Sequence, residues 1–104
     1  MTTFDDRENA FENKFAHDAQ LQFKAEARRN KLIGHWAAEL LGKTGADADA
    51  YAKEVIVADF EEAGDGDVIR KLVADLSGKA DEQTIRAKMA EYLSVAKTQI
   101  AADN

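Results

Sequence analysis

The chain has 104 residues, of which 45% are apolar, and its 20 acidic and 14 basic side chains give a net charge of −6. This length accommodates one small domain and no second full domain. Cysteine and proline are absent, which excludes disulfide frameworks, cysteine-based zinc sites and thiolate nucleophiles. The negative charge disfavours nucleic acid and anionic lipid as partners.

The first 18 residues differ from the rest of the chain. Their large apolar residues are Phe4, Phe11 and Phe15, spaced by seven and four, which gives a narrow aromatic stripe on a helix. The acidic start lacks the features of a secretory signal. We predict that residues 1–18 are flexible when free and form a partner-binding helix when docked. The alternative left open by the spacing is that Phe11 and Phe15 cover one end of the protein's own core.

Helical periodicity extends from about Thr3 to Leu41 and predicts one long first helix. Six of its residues share one side and are expected to face the core: Leu21, Ala25, Leu32, Ile33, Trp36 and Leu40. The same helix carries a basic patch formed by Lys24, Arg28, Arg29 and Lys31. Such a patch suits either contact with an acidic protein partner or ion pairs with the acidic helices of the same chain.

Three shorter amphipathic stretches follow, separated by glycines. The second helix is predicted to open with a capping box, Thr44 to Asp47, and to turn inward Ala48, Tyr51, Ala52 and Val55, flanked by Ile56, Val57 and Phe60. The third helix has the inward set Val68, Ile69, Leu72, Val73 and Leu76. The fourth, capped by Asp81, has the inward set Ile85, Met89, Tyr92, Leu93, Ala96 and Ile100 and the outward set Arg86, Lys88, Glu91 and Lys97.

These patterns predict an all-α fold, a compact four-helix bundle over residues 19–104 with a long first helix and a flexible N-terminal segment over residues 1–18. No strand pattern and no membrane-spanning stretch is present in the sequence, and a cytoplasmic location is the expectation. We expect the free protein to be a monomer.

Motifs for catalysis, cofactors and metals are weak. Gly42-Lys43-Thr44 resembles the end of a phosphate-binding loop, but a helix precedes it where a strand is required. Asp65 and Asp67 are spaced as in a calcium loop that lacks its remaining ligands, so helix capping is the preferred interpretation. His35 is predicted at the bundle rim, and His17 is a candidate for pH-dependent binding. We therefore expect no enzyme, no metal and no cofactor.

Eight runs of residues carry a family resemblance: residues 4–8, 10–12 and 14–18, then Ala27 to Leu32 and Trp36 to Glu39, and later residues 51–55, 58–65 and 67–71. Together these runs resemble the ζ inhibitor subunit of bacterial ATP synthases. The resemblance implies a four-helix protein whose N-terminal segment inserts between the α and β subunits of the catalytic head, next to γ, and blocks ATP hydrolysis. It also implies a location peripheral to the inner membrane, through the ATP synthase.

On this chain the implied inhibitory segment coincides with residues 1–18, which carry the narrow aromatic stripe. Its expected binding residues are Phe4, Asp5, Asp6, Arg7, Glu8, Phe11, Glu12, Lys14, Phe15, His17 and Asp18. Two other functions remain open from the residues alone. One is a general helical adaptor that uses the basic patch, and the other is a small nucleotide-binding sensor that uses Lys43 and Thr44.

Overall fold

A computed structural model describes residues 19–59 and 66–103 of the chain. Within these two ranges there are four α-helices and no strand: α1 (Ala19–Leu40), α2 (Gly45–Ala58), α3 (Gly66–Asp75) and α4 (Glu82–Asp103). The predicted all-α, four-helix fold is confirmed. The part of the long first helix that was expected before Ala19 lies outside the described residues.

Helix α1 lies between α2 and α4 and contacts both, while α3 contacts α2 and α4. Gly34 of α1 lies against Ala52 of α2, and Ala25 near the start of α1 packs with Ile100 near the end of α4. His35 of α1 lies near Asp49 at the start of α2, and Arg29 lies near Asp59 at its end. Both neighbours of α1 therefore run antiparallel to it. None of the described helices is both long enough and apolar enough to cross a membrane.

The main core draws residues from all four helices. Its fully buried members include Ile33 of α1, Val55 of α2, Leu72 of α3 and Ile85 of α4. Trp36 and several other half-buried residues cover its edges. This four-helix section is the part of the bundle where the short helices α2 and α3 overlap the two long ones.

A second apolar cluster lies where, among the described helices, α1 and α4 meet without α2 or α3. It consists of Ala25 and Ile100, flanked by the half-buried Leu21 and Leu93. The described molecule thus has a four-helix section and a narrower two-helix end, and the chain enters the fold at that end.

The ends of the helices follow local backbone chemistry. After α1, the Gly42 amide donates to the carbonyl of Glu39 at 3.1 Å and the Lys43 amide to that of Ala38 at 2.9 Å, which is a Schellman ending. Gly42 has φ +77°, a conformation that glycine adopts without steric cost. Before α4, the amide of Thr84 donates to Asp81 Oδ1 at 2.8 Å, so the predicted cap is confirmed.

The capping box predicted at Thr44 is wrong. Thr44 does occupy the N-cap position of α2 in an extended conformation, but its side chain makes no capping hydrogen bond. Asp47 supplies an acidic group to the first turn of this helix, where a negative charge is favourable.

Three predictions of burial are also wrong. Leu40 is exposed because α1 ends there and Leu41 packs on the core instead. Val57 is exposed because it lies about 200° around α2 from the buried Val55. Lys97, expected outside, is 9% exposed, since it lies on the same side of α4 as Ile100, three residues on.

Candidate partner-binding surface

The predicted inhibitory segment precedes the first described residue, Ala19. All eleven of its candidate residues lie outside the described residues: Phe4, Asp5, Asp6, Arg7, Glu8, Phe11, Glu12, Lys14, Phe15, His17 and Asp18. The described chain begins directly after this segment, at Ala19 in α1. The predicted partner-binding residues that the structure does place are those of the basic patch.

The structure separates the four residues of the basic patch into two environments. Lys24 and Lys31 are exposed and Arg28 is half-buried. These three fall within an arc of about 60° around α1, at 100° per residue. Arg29 points into the bundle and is 2% exposed. The surface that remains for a partner is the line Lys24, Arg28 and Lys31, which we call the basic stripe.

Arg29 takes part in an internal polar cluster. Its Nε and Nη2 atoms each donate to Asn30 Oδ1 at 3.1 Å, and Nη2 lies 4.0 Å from Asp59 Oδ1 at the end of α2. Asn30 is fully buried, and its Nδ2 has no hydrogen-bond partner among the described residues. Of the two roles considered for the patch, Arg29 fits the internal ion pair, because a buried charge needs a partner within the protein.

A shallow depression between α1 and α2 adjoins the basic stripe. Its volume is about 390 Å³, and it is lined by Lys31, His35, Asp49, Ala52, Lys53 and Ile56. His35 Nε2 lies 3.7 Å from Asp49 Oδ1 across the depression. His35 is half-buried, in agreement with its predicted place at the rim. The positive surface thus extends from the stripe to Lys53 on α2.

On another side of the bundle, Tyr51 of α2 and Asp75 of α3 form a direct link between helices. The Tyr51 hydroxyl donates to Asp75 Oδ2 at 2.8 Å, and Lys71 Nζ donates to the same oxygen at 3.0 Å. Burial, and then the hydrogen bond to the Asp75 carboxylate, raise the pKa of Tyr51 well above its usual range. Partial burial disfavours the ionised Asp75, but the hydrogen bonds from Lys71 and Tyr51 outweigh it and lower the pKa of Asp75.

The Gly42-Lys43-Thr44 turn has no free cradle for a phosphate. A phosphate-binding loop directs its backbone amides at the ligand. Here the amides of Gly42 and Lys43 donate to carbonyls at the end of α1. The turn therefore ends a helix, and its geometry does not favour the nucleotide-sensor alternative.

The described residues include no group of side chains suited to metal binding. No three histidine or carboxylate side chains among them lie close enough to hold a metal ion. A depression of about 510 Å³ between α2 and α3 mixes both charges and is lined by Ala50, Lys53, Glu54, Val57, Ala58, Asp67, Arg70 and Lys71. Asp67 is bonded there to Arg70 of its own helix. These features are those of a solvated helical surface.

The sequence pattern did not predict two features of this surface: the burial of Arg29 and the contribution of Lys53. The 100° step per residue separates Arg28 from Arg29 around a helix, so the burial of one could have been read from spacing alone. The addition of Lys53 depends on how α2 packs beside α1, and no local pattern carries that information.

Comparison with known proteins identifies the family of the chain. A sequence model described as "ATPase inhibitor subunit zeta" matches residues 1–99. A structure determined by solution NMR is 57% identical, covers 81% of this chain and 99% of that chain, and superposes with a TM-score of 0.74. No curated protein matches the chain. Because the family match covers nearly the whole sequence, the chain belongs to the ATPase inhibitor subunit zeta family.

Proposed function

We propose that this protein inhibits ATP hydrolysis by the catalytic head of the ATP synthase, by inserting residues 1–18 at an interface of the α, β and γ subunits. The family is one of inhibitor subunits and not of enzymes. The observation that carries the proposal is that the family match begins at residue 1 and continues to residue 99, so that it includes both the aromatic segment and the bundle.

The organisation of the described core supports this division. Its buried apolar residues lie between Ala25 and Ile100, so the bundle has a core of its own downstream of the segment. The bundle then acts as a stop that prevents the inserted helix from passing further into the cleft.

The sequence of the segment suits a helix that binds in a groove. In this proposal Phe4, Phe11 and Phe15 are apolar anchors, and the charged residues around them set the register. Burial of three phenylalanines contributes roughly 5–9 kcal/mol, at about 1.5–3 kcal/mol each. This exceeds the roughly 2–5 kcal/mol that ordering a disordered segment costs. Folding of the segment on binding is therefore energetically feasible.

The first test is deletion of residues 2–18. We expect the truncated protein to lose inhibition of ATP hydrolysis by the purified cognate enzyme, while its melting temperature, followed by circular dichroism, stays close to that of the full chain. Full inhibition by the truncated protein would refute the proposal. A large fall in melting temperature would instead support the alternative in which Phe11 and Phe15 cover the protein's own core.

Two sets of substitutions distinguish the loss of the proposed phenylalanine contacts from a general effect of removing apolar side chains. Replacing Phe4, Phe11 and Phe15 together by alanine should weaken inhibition strongly, since the apolar contacts are removed and the chain length is kept. The matched control replaces Val57 and Val95, two exposed apolar residues of the bundle, by alanine. The control should inhibit like the unmodified protein.

A further inference from the structure

Lys24 and Lys31 of the basic stripe differ from the paired cations of α3 and α4 in how their charges are compensated. On α3 and α4, Arg70, Lys71, Arg86 and Lys88 each pair with a carboxylate three or four residues away on the same helix. Within the described ranges, Lys24 and Lys31 form no such pair. Their charges are therefore available to a partner.

The stripe is also extended and continuous. Lys24, Arg28 and Lys31 follow one another along about 10 Å of α1. Lys53 of α2 adds a fourth cation beside Lys31, and Asp49 is the one carboxylate among the six residues that line the depression there. On a protein of net charge −6, this is a local positive surface whose field is directed to one side.

The position of the stripe relates it to the inhibitory segment. Lys24 lies about 8 Å along the helix from Ala19, where the described chain begins directly after residues 1–18. When the segment occupies a cleft, the residues that follow it along α1 must lie at the opening of that cleft. The stripe is thus placed to face whatever surface surrounds the opening.

We propose that the basic stripe is a second docking surface, which binds an acidic protein surface on the ATPase head at the opening of the cleft that receives residues 1–18. This inference rests on the proposed function and names a further contact for it. Complementary charge steers association and sets orientation more than it adds final affinity. The stripe therefore accelerates capture of the inhibitor and orients α1 for insertion of the segment.

The test is charge reversal at the two exposed lysines, Lys24→Glu with Lys31→Glu. The matched control is Lys43→Glu with Lys79→Glu, which gives the protein the same net charge as the stripe variant. Both control lysines are exposed and lie in turns at the opposite end of the bundle. Each variant and the unmodified protein is added to the purified cognate enzyme, and the rate at which ATP hydrolysis is lost is measured at low and at high salt. Melting curves verify that each variant is folded.

We expect the stripe variant to inhibit about tenfold more slowly or worse at low ionic strength, and the control to stay within about twofold of the unmodified protein. In about 0.5 M salt the difference should largely disappear, since screening acts over only a few ångströms there. A milder variant, Lys24→Gln with Lys31→Gln, should inhibit at a rate between those of the charge-reversed variant and the unmodified protein.

Equal rates for the stripe variant and the control would overturn the inference. This failure can be distinguished from failure of the proposed function. If truncation of residues 2–18 abolishes inhibition while charge reversal has no effect, only the second docking surface is wrong. If the truncated protein still inhibits, the proposed insertion itself is wrong.

Discussion

At the scale of single residues, the close approach of α1 to α2 depends on Gly34. A Cβ atom built at this position would lie 2.8 Å from the Cα of Ala52 and 3.1 Å from its Cβ. Contacts this short with backbone cannot be relieved by rotating a side chain. Gly34 costs the helix about 1 kcal/mol relative to alanine, and it lets α1 and α2 pack closely.

Gly34→Ala should lower the stability of the bundle. The loss from overpacking, about 1–3 kcal/mol, exceeds or equals the gain in helix propensity of about 1 kcal/mol, so the net change is a destabilisation of up to about 2 kcal/mol. Urea unfolding followed by circular dichroism measures it. Glu39→Ala, at an exposed position of the same helix, should change stability by less than about 0.5 kcal/mol. A more stable Gly34→Ala variant would contradict the close contact.

At the scale of helices, the link between Tyr51 and Asp75 couples the packing of α2 and α3 to pH. A carboxyl group with a lowered folded pKa stabilises the fold at pH values above its unfolded pKa, about 3.9. That contribution disappears as the pH falls through the lower folded pKa. Because Lys71 and Tyr51 hold the pKa of Asp75 down, acid should weaken this link.

Asp75→Asn tests this coupling. At neutral pH the variant should unfold at a lower urea concentration than the unmodified protein, since it loses the charged hydrogen-bond acceptor of Lys71 and Tyr51. Between about pH 5 and pH 2 the difference should narrow, because the unmodified protein loses its ionised Asp75. Glu39→Gln, the same chemical change at an exposed position, serves as the control. A difference that stays constant down to the lowest pH would show that the pKa of Asp75 is not lowered.

The four helices could be predicted because their inward residues repeat with the helical period, as Ile85, Met89 and Ala96 do in α4. The end of α1 and the Asp81 cap follow from residues nearby in sequence, and they too could be predicted. Burial of Lys97 and exposure of Leu40 depend on where neighbouring helices lie, so a single-helix pattern assigns them wrongly. The same limit applies to the site, since Lys53 joins the basic stripe only through packing between helices.

At the scale of the whole molecule, packing is uneven along the bundle. Ile33 belongs to the main core, to which all four helices contribute, whereas the described members of the cluster around Ala25 and Ile100 come from α1 and α4 alone. Local stability falls where fewer buried contacts oppose opening. Among the described residues, we therefore expect the two-helix end to open most readily.

Hydrogen exchange measured by NMR should reveal this gradient. Amides of α1 between Lys24 and Arg28 should exchange about tenfold faster or more than those between Ile33 and Ala38, after correction for intrinsic rates. The second half of α4 should show the same gradient in reverse, with protection falling towards its C-terminal end. Uniform protection along α1 would indicate that the bundle opens only as a unit.

The position of α1 between two antiparallel neighbours has a mechanical consequence. A pull on the Ala19 end, directed along the helix axis, loads the contacts with α2 and with α4 lengthwise and at the same time. Withdrawal of α1 then requires α1 to slide along α2 and α4 at the same time. This simultaneous sliding needs more force than separating α1 from its two neighbours one after the other. In the proposed complex, tension transmitted through residues 1–18 would load both of these contacts together.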